Sequence, residues 1–287
     1  PQQLNSCEVL KRPPERTNTM SYDDYQKAQK MGQRAYKSAI ARGAHPYLPV
    51  LDEILSHAEV DYEVHLGISD IPLSQVVGTS TFGRTRAFAC NFMPLLGEGS
   101  EFSAKWSHLS TAQVEEGIHD AVKVYEYMNK YYVVEGNKRV SVLKYFNCPS
   151  ILADVTRKVP KRSDDLENRI YYEYMDFYEL TQINYNRFSK LGSFAKLLAA
   201  AGKTDTEVWT TEERLDFTYF YTGFAKIFRE KGGEGMGNVT VGDALLVFFT
   251  FYPYAEVMDT TNAQLKDMVD KIWPEIVLLS DEDSVEL

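Results

Sequence analysis

The sequence predicts an α+β fold in which a small sheet with helices is followed by an all-α region. Residues 121–127 alternate like a half-buried strand, Met128-Asn129 suits a tight turn, and residues 130–135 return as a second strand, so this stretch predicts a β-hairpin. Strand signals begin at Gly67, whereas apolar and aromatic residues beyond Pro160 recur at helical spacing. The sheet is therefore expected in the middle of the chain and the helices at its end.

The first part of the chain predicts a polar leader followed by helices. Residues 1–19 are polar and show no apolar periodicity, which favours a disordered leader. Residues 20–66 are expected to form N-terminal helices that pack on the core. These are a helix over residues 22–42, with Ser21 as its N-cap and Gly43 at its end, and a short helix over residues 49–56.

The central segment, residues 67–160, is expected to form the α+β domain. Gly136 breaks the second hairpin strand, and Asn147 followed by Pro149 ends the helix that comes after it. The expected elements are an apolar strand region at residues 68–77, helices at 87–96 and 111–116, the two hairpin strands, a helix at 138–146 and a strand at 150–155.

The last segment, residues 161–287, is expected to form a helical accessory domain. Thr210 and Glu213 have the spacing of a capping box ahead of a long aromatic helix. Helices are expected from Thr210 to Lys231, from Thr240 to Tyr252 and from Thr261 to Trp273.

Charge is distributed unevenly along the 287 residues. The net charge is −10, and residues 208–287 hold 6 Lys and Arg against 15 Asp and Glu, so most of the acidic excess lies in the helical region. Tight non-specific binding to duplex nucleic acid requires a strongly basic face that releases counterions. Nucleic acid therefore stays open as a partner but is not favoured.

The cysteines and the apolar segments indicate a cytoplasmic protein. Cys7, Cys90 and Cys148 lie far apart, without the spacing of a metal site or a redox pair. No apolar run reaches the roughly 20 residues that cross a bilayer, and no signal-peptide pattern opens the chain. A membrane is therefore not expected as a partner.

The segment Glu135-Gly136-Asn137-Lys138-Arg139 joins the hairpin to the next helix and is the best candidate site. The first N–H groups of a helix carry partial positive charge, and glycine lets a ligand approach the backbone closely. Lys138 and Arg139 add two cations that suit phosphate oxygens. The spacing predicts a phosphate site at this turn, and a solvated helix start is the alternative.

Glu135 is the candidate catalytic residue. A carboxylate directly before a phosphate turn can orient a hydroxyl group or hold Mg²⁺, and the alternative is a solvated strand end that positions Lys138. His119 and Asp120, at the start of the neighbouring strand, are secondary candidates. A basic run after the last strand either extends the anion site or is solvated, and it comprises Arg157, Lys158, Lys161 and Arg162.

These motifs follow one another in an order that resembles the ParB N-terminal domain of the ParB/sulfiredoxin type. The stretches that carry the resemblance are Gly117-Ile118-His119-Asp120-Ala121-Val122, Glu135-Gly136-Asn137-Lys138-Arg139-Val140, Pro149-Ser150-Ile151, and Ile71-Pro72-Leu73 with Arg84 and Arg86 after it. The resemblance covers about 90 residues. It implies a small mixed sheet with helices and a phosphate site to which Arg84 and Arg86 belong.

The family uses this fold for CTP-driven DNA clamping, ATP-dependent sulfinic acid reduction, kinase activity and proposed nuclease activity. Sulfiredoxins carry their catalytic cysteine where this sequence has Asn137, so the reductase chemistry is not expected. The acidic helices after Val208 resemble no DNA reader, so partition-type clamping is not expected either.

The chain from residue 20 onwards also resembles the leader region that precedes a BMP-type solute-binding domain in some bacterial proteins. Residues 47–54 and 133–143 carry this second resemblance. It implies nucleoside or nucleotide sensing and no particular activity.

The sequence therefore predicts a regulatory domain that binds a nucleotide or another phosphate-bearing ligand, with Mg²⁺ as an accompanying ion. A phosphoryl-transfer enzyme or nuclease that uses Glu135 and a divalent metal is the first alternative. A DNA-binding or protein-interaction module that acts through the C-terminal helices is the second. The sequence leaves open whether a reaction is catalysed and whether the chain forms a homo-oligomer.

Overall fold

The computed structural model describes residues 17–282, with side chains described for residues 23–83 and 85–279. The chain divides into two compact units, and the boundary falls between Lys161 and Arg162. Most of the predicted leader, residues 1–16, lies outside the described residues, while its last positions begin the first helix.

The first unit is built on a five-stranded mixed sheet, which confirms the α+β class. The strands are β1 (Val60–Pro72), β2 (Val76–Thr79), β3 (Val122–Tyr127), β4 (Lys130–Glu135) and β5 (Ser150–Pro160). Their order in the sheet is β1-β5-β3-β4-β2. The pairs β1–β5 and β3–β4 are antiparallel, whereas β3–β5 and β2–β4 are parallel.

The helices of the first unit pack on the sheet in two apolar clusters. They are α1 (Thr17–Ala41), α2 (Leu51–Leu55), α3 (Glu101–Glu115) and α4 (Asn137–Tyr145). Trp106 of α3 is fully buried, and its indole N–H donates to Ser141 Oγ of α4 at 2.8 Å. Tyr25 of α1 packs edge-on against the same indole at 5.5 Å between ring centroids. Burial of these large rings fixes the three helices to one another.

The predicted hairpin is confirmed. Met128 and Asn129 both have positive φ, at 53° and 55°, which is the backbone of a two-residue turn matched to the twist of the strands. The Asn129 N–H donates to Glu126 Oε1 at 2.6 Å, so a carboxylate of β3 also holds the turn.

Every regular element of the second unit is helical within residues 162–282. The helices are α5 (Leu166–Thr181), α6 (Ser193–Ala200), α7 (Thr211–Glu230), α8 (Val241–Phe251), α9 (Tyr254–Val257) and α10 (Asn262–Glu282). The capping box of Thr210 and Glu213 is confirmed, and Thr240 forms a second one with Asp243. Fully buried rings such as Phe217, Phe224 and Phe248 form the core of this unit.

Two sequence predictions in the first unit are wrong. Residues 88–94 do not form a helix: Phe92 has a φ of +66°, and single bridges join Phe88 to Pro94 and Tyr47 to Ala89. The apolar residues there are buried by distant parts of the chain. Their spacing in the sequence matches that of a helix face, so the sequence alone does not distinguish this irregular segment from a helix. The expected N-cap is also wrong, because α1 begins at Thr17 and Ser21 lies inside it.

Several predicted boundaries are also wrong. Helix α3 begins at Glu101, behind a Ser100 cap whose Oγ accepts from the Ser103 N–H at 3.1 Å. Strand β1 begins at Val60 instead of residue 68, and β5 continues to Pro160 instead of ending at residue 155. Helix α10 passes Pro274 and ends at Glu282 instead of Trp273. Helices α5 and α6 were not predicted separately.

Within residues 17–282, no helix has both the length and the apolar character that a bilayer crossing requires.

Lys144 of α4 is a partly buried cation that contacts the short segment between β1 and β2. Its Nζ donates to the Leu73 carbonyl at 2.6 Å and lies 5.2 Å from the centroid of the Phe92 ring. Burial lowers the pKa of the Lys144 ammonium from 10.5 to about 8. Burial, and then the nearby Tyr127, raise the pKa of Tyr132 from 10.0 to about 12.

We expect the free energy of unfolding to rise as the pH increases from about 8 to about 10. In that window the unfolded chain still binds the Lys144 proton that the folded chain has lost, and each pKa unit is worth about 1.4 kcal/mol. Above pH 10 the buried tyrosines reverse the trend, because they ionise more readily in the unfolded chain. Urea denaturation at several pH values measures the effect. The Lys144→Met variant should lose the rise, and an equal rise in the variant would contradict this assignment.

Candidate anion-binding site

The candidate site lies where the parallel strands β2 and β4 end side by side. Thr79, the last residue of β2, pairs with Val133 near the end of β4. The chain leaves β2 through a 3-10 helix at Phe82–Ala87, and it leaves β4 through Gly136 into α4. Ligands bind preferentially beyond the carboxyl ends of parallel strands, because the connections that follow them diverge there and leave a crevice.

Gly136 sets the position of α4. Its backbone has φ 109° and ψ 16°, a conformation that side chains disfavour. A Cβ atom at this position would lie 2.5 Å from Cγ1 of the buried Val122. The first intrahelical bond runs from the Val140 N–H to the Gly136 carbonyl, and no side chain in the described part of the chain caps the helix. The N-terminus of α4 thus presents backbone N–H groups suited to an anion.

Asn137 is buried at this helix start. Its side chain is 8% exposed, and Nδ2 lies 3.5 Å from Thr79 Oγ1, which itself donates to the Val133 carbonyl. Asn137 Oδ1 has no hydrogen-bond partner among the described residues. A buried acceptor without a partner is uncommon, so this oxygen can accept a hydrogen bond from a ligand or from water.

Three cationic side chains line a cavity of about 660 Å³ next to α4. Arg86 comes from the 3-10 helix, Lys105 from α3 and Lys138 from α4. The acidic residue in the lining is Glu101, whose Oε1 lies 2.5 Å from Lys105 Nζ. Arg86 makes no ion pair with any described residue. The lining therefore has an excess of positive charge.

Two phenylalanines give the cavity an aromatic component. Lys138 Nζ lies 4.9 Å from the centroid of the Phe102 ring, a distance at which the ring attracts the ammonium group. Phe82 lines the cavity as well, and 61% of its surface is exposed. An exposed ring beside three cations can stack on a planar group of a ligand.

The structure brings together some of the site residues predicted from the sequence. Arg86 and Lys138 line the same cavity, and Gly136 and Asn137 form the helix start beside Lys138. The side chain of Arg84 lies outside the described residues, although its backbone belongs to the 3-10 helix.

Arg139 and Glu135 are directed elsewhere. Arg139 Nη1 donates to the carbonyls of Asp120 and Ala121 at 3.0 and 2.9 Å, so this guanidinium group holds the loop that leads into β3. Glu135 is exposed, and its Oε2 lies 3.7 Å from Lys123 Nζ on the neighbouring strand. Neither side chain lines the cavity. A phosphate contact by Arg139 and a catalytic role of Glu135 stay predictions.

The secondary candidates also lie apart from the cavity lining. His119 Nε2 is 2.8 Å from the Glu116 carbonyl, which fits a role in the turn before β3. Asp120 accepts the Arg139 bond through its backbone carbonyl.

The first three residues of the basic run are each paired with a carboxylate, so the structure does not favour an extension of the anion site there. Arg157 Nε lies 2.5 Å from Glu126 Oε2, and both residues are buried. Lys158 pairs with Glu63, and Lys161 Nζ lies 2.7 Å from Glu59 Oε2. Arg162 belongs to the second unit, where its guanidinium lies 3.9 Å from the centroid of the Tyr172 ring.

Lys105, Glu101, Phe102 and Phe82 were missed from the sequence. The first three lie in the part of α3 that the sequence did not assign to a helix. Ser100, with its hydroxyl accepting from the N–H three residues later, was the available signal for that helix start.

The oxygen ligands near the cavity are few. Among the described residues there is no group of three or more His, Cys, Asp or Glu side chains that could hold a metal ion. Mg²⁺ in nucleotide sites is usually bound through one or two protein oxygens together with the phosphates. The carboxylate in the cavity lining is that of Glu101, so a Mg²⁺ ion there would be held by one protein carboxylate together with the phosphates of its nucleotide.

Comparison of the chain with protein-family models gives no match, and comparison with curated protein sequences gives none.

Proposed function

We propose that the first unit binds a phosphate-bearing ligand, in the first place a nucleotide, in the cavity beside α4 and that it acts as a regulatory binding domain. The observation that carries the proposal is the convergence of Arg86, Lys105 and Lys138 on one cavity next to the uncapped start of α4. The residues come from three separate elements, so no single solvated charge run accounts for them.

The charge of the cavity favours an anion over a neutral ligand. Three cations face one carboxylate, and that carboxylate is already paired with Lys105. The chain as a whole has a net charge of −10, so this local excess of positive charge opposes the general trend. Guanidinium and ammonium groups bind phosphate oxygens through charge-assisted hydrogen bonds, which are about twice as strong as neutral ones.

The size and the aromatic walls favour a nucleotide over inorganic phosphate. A volume of about 660 Å³ lies within the range of small-molecule sites and is larger than a single phosphate needs. Phe82 and Phe102 line the cavity, and the exposed Phe82 ring is suited to stack on a base. These groups support recognition of the nucleoside part.

The arrangement of the sheet supports a ParB/sulfiredoxin-like fold for this unit. The mixed five-stranded sheet, the hairpin and the glycine turn before α4 occur in the order that the resemblance implies. We therefore propose the same class of phosphate-binding domain, without a DNA clamp.

The cations of the cavity can be tested by titration calorimetry with ATP, CTP, ADP and inorganic phosphate, with and without Mg²⁺. The wild-type protein should bind at least one nucleotide, and Arg86→Ala or Lys138→Ala should weaken binding by roughly tenfold, the value of one charge-assisted bond. Lys123→Ala is the control, because Lys123 is an exposed lysine of the same unit that lies outside the cavity lining and pairs with Glu135. Absence of nucleotide binding, or equal weakening by the control, would contradict the proposal.

The Glu135→Ala variant separates binding from catalysis. Its carboxylate does not line the cavity, so the variant should keep the nucleotide affinity of the wild type. A Mg²⁺-dependent turnover that Glu135→Ala abolishes would establish the phosphoryl-transfer or nuclease alternative.

A further inference from the structure

A second cavity, of about 400 Å³, lies within the second unit and differs from the first in chemistry. Its walls are mostly aliphatic, and two lysines and several small polar residues complete the lining. The residues that carry the following argument are Lys190, Lys196, Asp243, Leu246, Val247 and Leu279.

Helix α8 leaves an apolar face towards this cavity. Ala244, Leu245 and Phe248 are fully buried in the core of the unit. Leu246 and Val247 lie between the core positions of the same helix, are only partly buried and line the cavity. A helix that is apolar on all sides is normally covered on all sides, so this face favours an apolar ligand group. Leu279 of α10 contributes to the same wall.

The polar part of the lining favours a negative head group. Lys196 is exposed and makes no ion pair with any described residue, and Lys190 is a second cation in the lining. Asp243 is the acidic residue there, but its carboxylate accepts from the Thr240 N–H, the Thr240 hydroxyl and the Ser189 N–H at 2.9, 2.8 and 3.1 Å. A carboxylate with three donors is largely satisfied and does not compete for the lysines.

We infer that this cavity binds an amphipathic organic anion, a medium-chain fatty acid, with its alkyl chain along Leu246, Val247 and Leu279 and its carboxylate at Lys196. The aliphatic wall removes the chain from water, and the lysine ammonium supplies the charge partner. The volume lies at the lower end of the range for small-molecule sites, so the ligand is a single short chain. The inference concerns the second unit alone and does not depend on nucleotide binding by the first.

The test is calorimetric titration of the whole protein with decanoate, together with octanoate, decanol and decylamine. Decanoate should bind saturably at one site and more tightly than the shorter acid, the neutral alcohol or the cationic amine. Lys196→Gln should weaken decanoate binding roughly fivefold, since an exposed charge pair contributes about 1 kcal/mol. Lys226→Gln is the matched control, because Lys226 is an exposed lysine of α7 that lies outside the cavity lining.

A second variant tests the apolar wall. Val247→Trp places a large ring in the cavity at a partly exposed position and should abolish decanoate binding while leaving the circular dichroism spectrum unchanged. If Val247→Trp does not fold, the comparison of decanoate affinity between Lys196→Gln and Lys226→Gln tests the inference by itself. Absence of saturable decanoate binding, equal weakening by Lys226→Gln, or equally tight binding of decylamine would overturn the inference. Nucleotide affinity measured with and without decanoate should be the same, because the inferred fatty-acid site does not depend on nucleotide binding by the first unit.

Discussion

Replacing Arg157 by methionine is expected to destabilise the first unit by about 3–5 kcal/mol, the usual cost of leaving a buried charge without its partner. Glu126 on β3 is fully buried and Arg157 on β5 is 4% exposed, and the two are paired across neighbouring strands. Removal of the guanidinium leaves the buried Glu126 carboxylate without this cation, while the Asn129 N–H of the hairpin turn still donates to it. Urea or thermal denaturation measures the loss.

A double variant provides the control for this prediction. Arg157→Met combined with Glu126→Gln removes both charges but keeps an amide oxygen for the Asn129 N–H, so it should recover most of the lost stability. Lys161→Met removes a lysine from the exposed pair with Glu59 and should have no measurable effect. A change below about 1 kcal/mol for Arg157→Met alone would show that the pair is not buried as described.

Replacing Gly136 by alanine is expected to cost about 2–5 kcal/mol and to abolish nucleotide binding. A positive φ costs a residue with a side chain about 1–2 kcal/mol, and overpacking a core adds about 1–3 kcal/mol. The added Cβ would lie 2.5 Å from Val122 Cγ1, and Val122 is fully buried in the core beneath the site. Relief of this contact must move the start of α4, and with it Asn137 and Lys138.

Gly43→Ala separates the two contributions at Gly136. Gly43 also has a positive φ, of +69°, but no atom lies within 4 Å of its ideal Cβ position. The variant should therefore show the backbone strain alone and leave nucleotide binding intact. If Gly136→Ala is no more destabilising than Gly43→Ala, the close packing of Gly136 on Val122 is not the constraint described here.

Local signals account for the parts of the fold that the sequence predicted well. The β3–β4 hairpin follows from the alternation in its first strand and two turn residues with positive φ, and α4 follows from a glycine start and an asparagine that takes the left-handed position at its end. The two capping boxes at Thr210 and Thr240 place α7 and α8 for the same reason. Each of these signals acts over a few residues and needs no knowledge of the partner elements.

Contacts between distant residues account for the wrong predictions. Phe88 and Phe92 are buried by other elements while their own backbone is irregular, so their spacing indicated a helix that does not exist. Pro274 lies inside α10, although proline usually ends a helix. The sequence alone could not determine either outcome, because tertiary packing compensates for the local preference.

The residues of the candidate site also differ in whether local signals or distant contacts determine their positions. Gly136, Asn137 and Lys138 belong to one turn, so the sequence could place them together. Arg139 is next in the chain but points to the β3 loop, a direction set by the helix and by the carbonyls of Asp120 and Ala121. Lys105 approaches from α3, and only the fold brings it to the same cavity.

Mapping of backbone amide chemical shifts during titration with ATP tests the central claim most directly. If the cavity beside α4 binds the nucleotide, the largest shifts should fall in three segments: residues 82–87, the first turn of α3, and the amides of Asn137, Lys138 and Arg139 at the start of α4. The Lys138→Ala variant should lose these shifts at the same ATP concentration. Shifts confined to the second unit, or shifts centred on Lys123 and Glu135, would contradict the account.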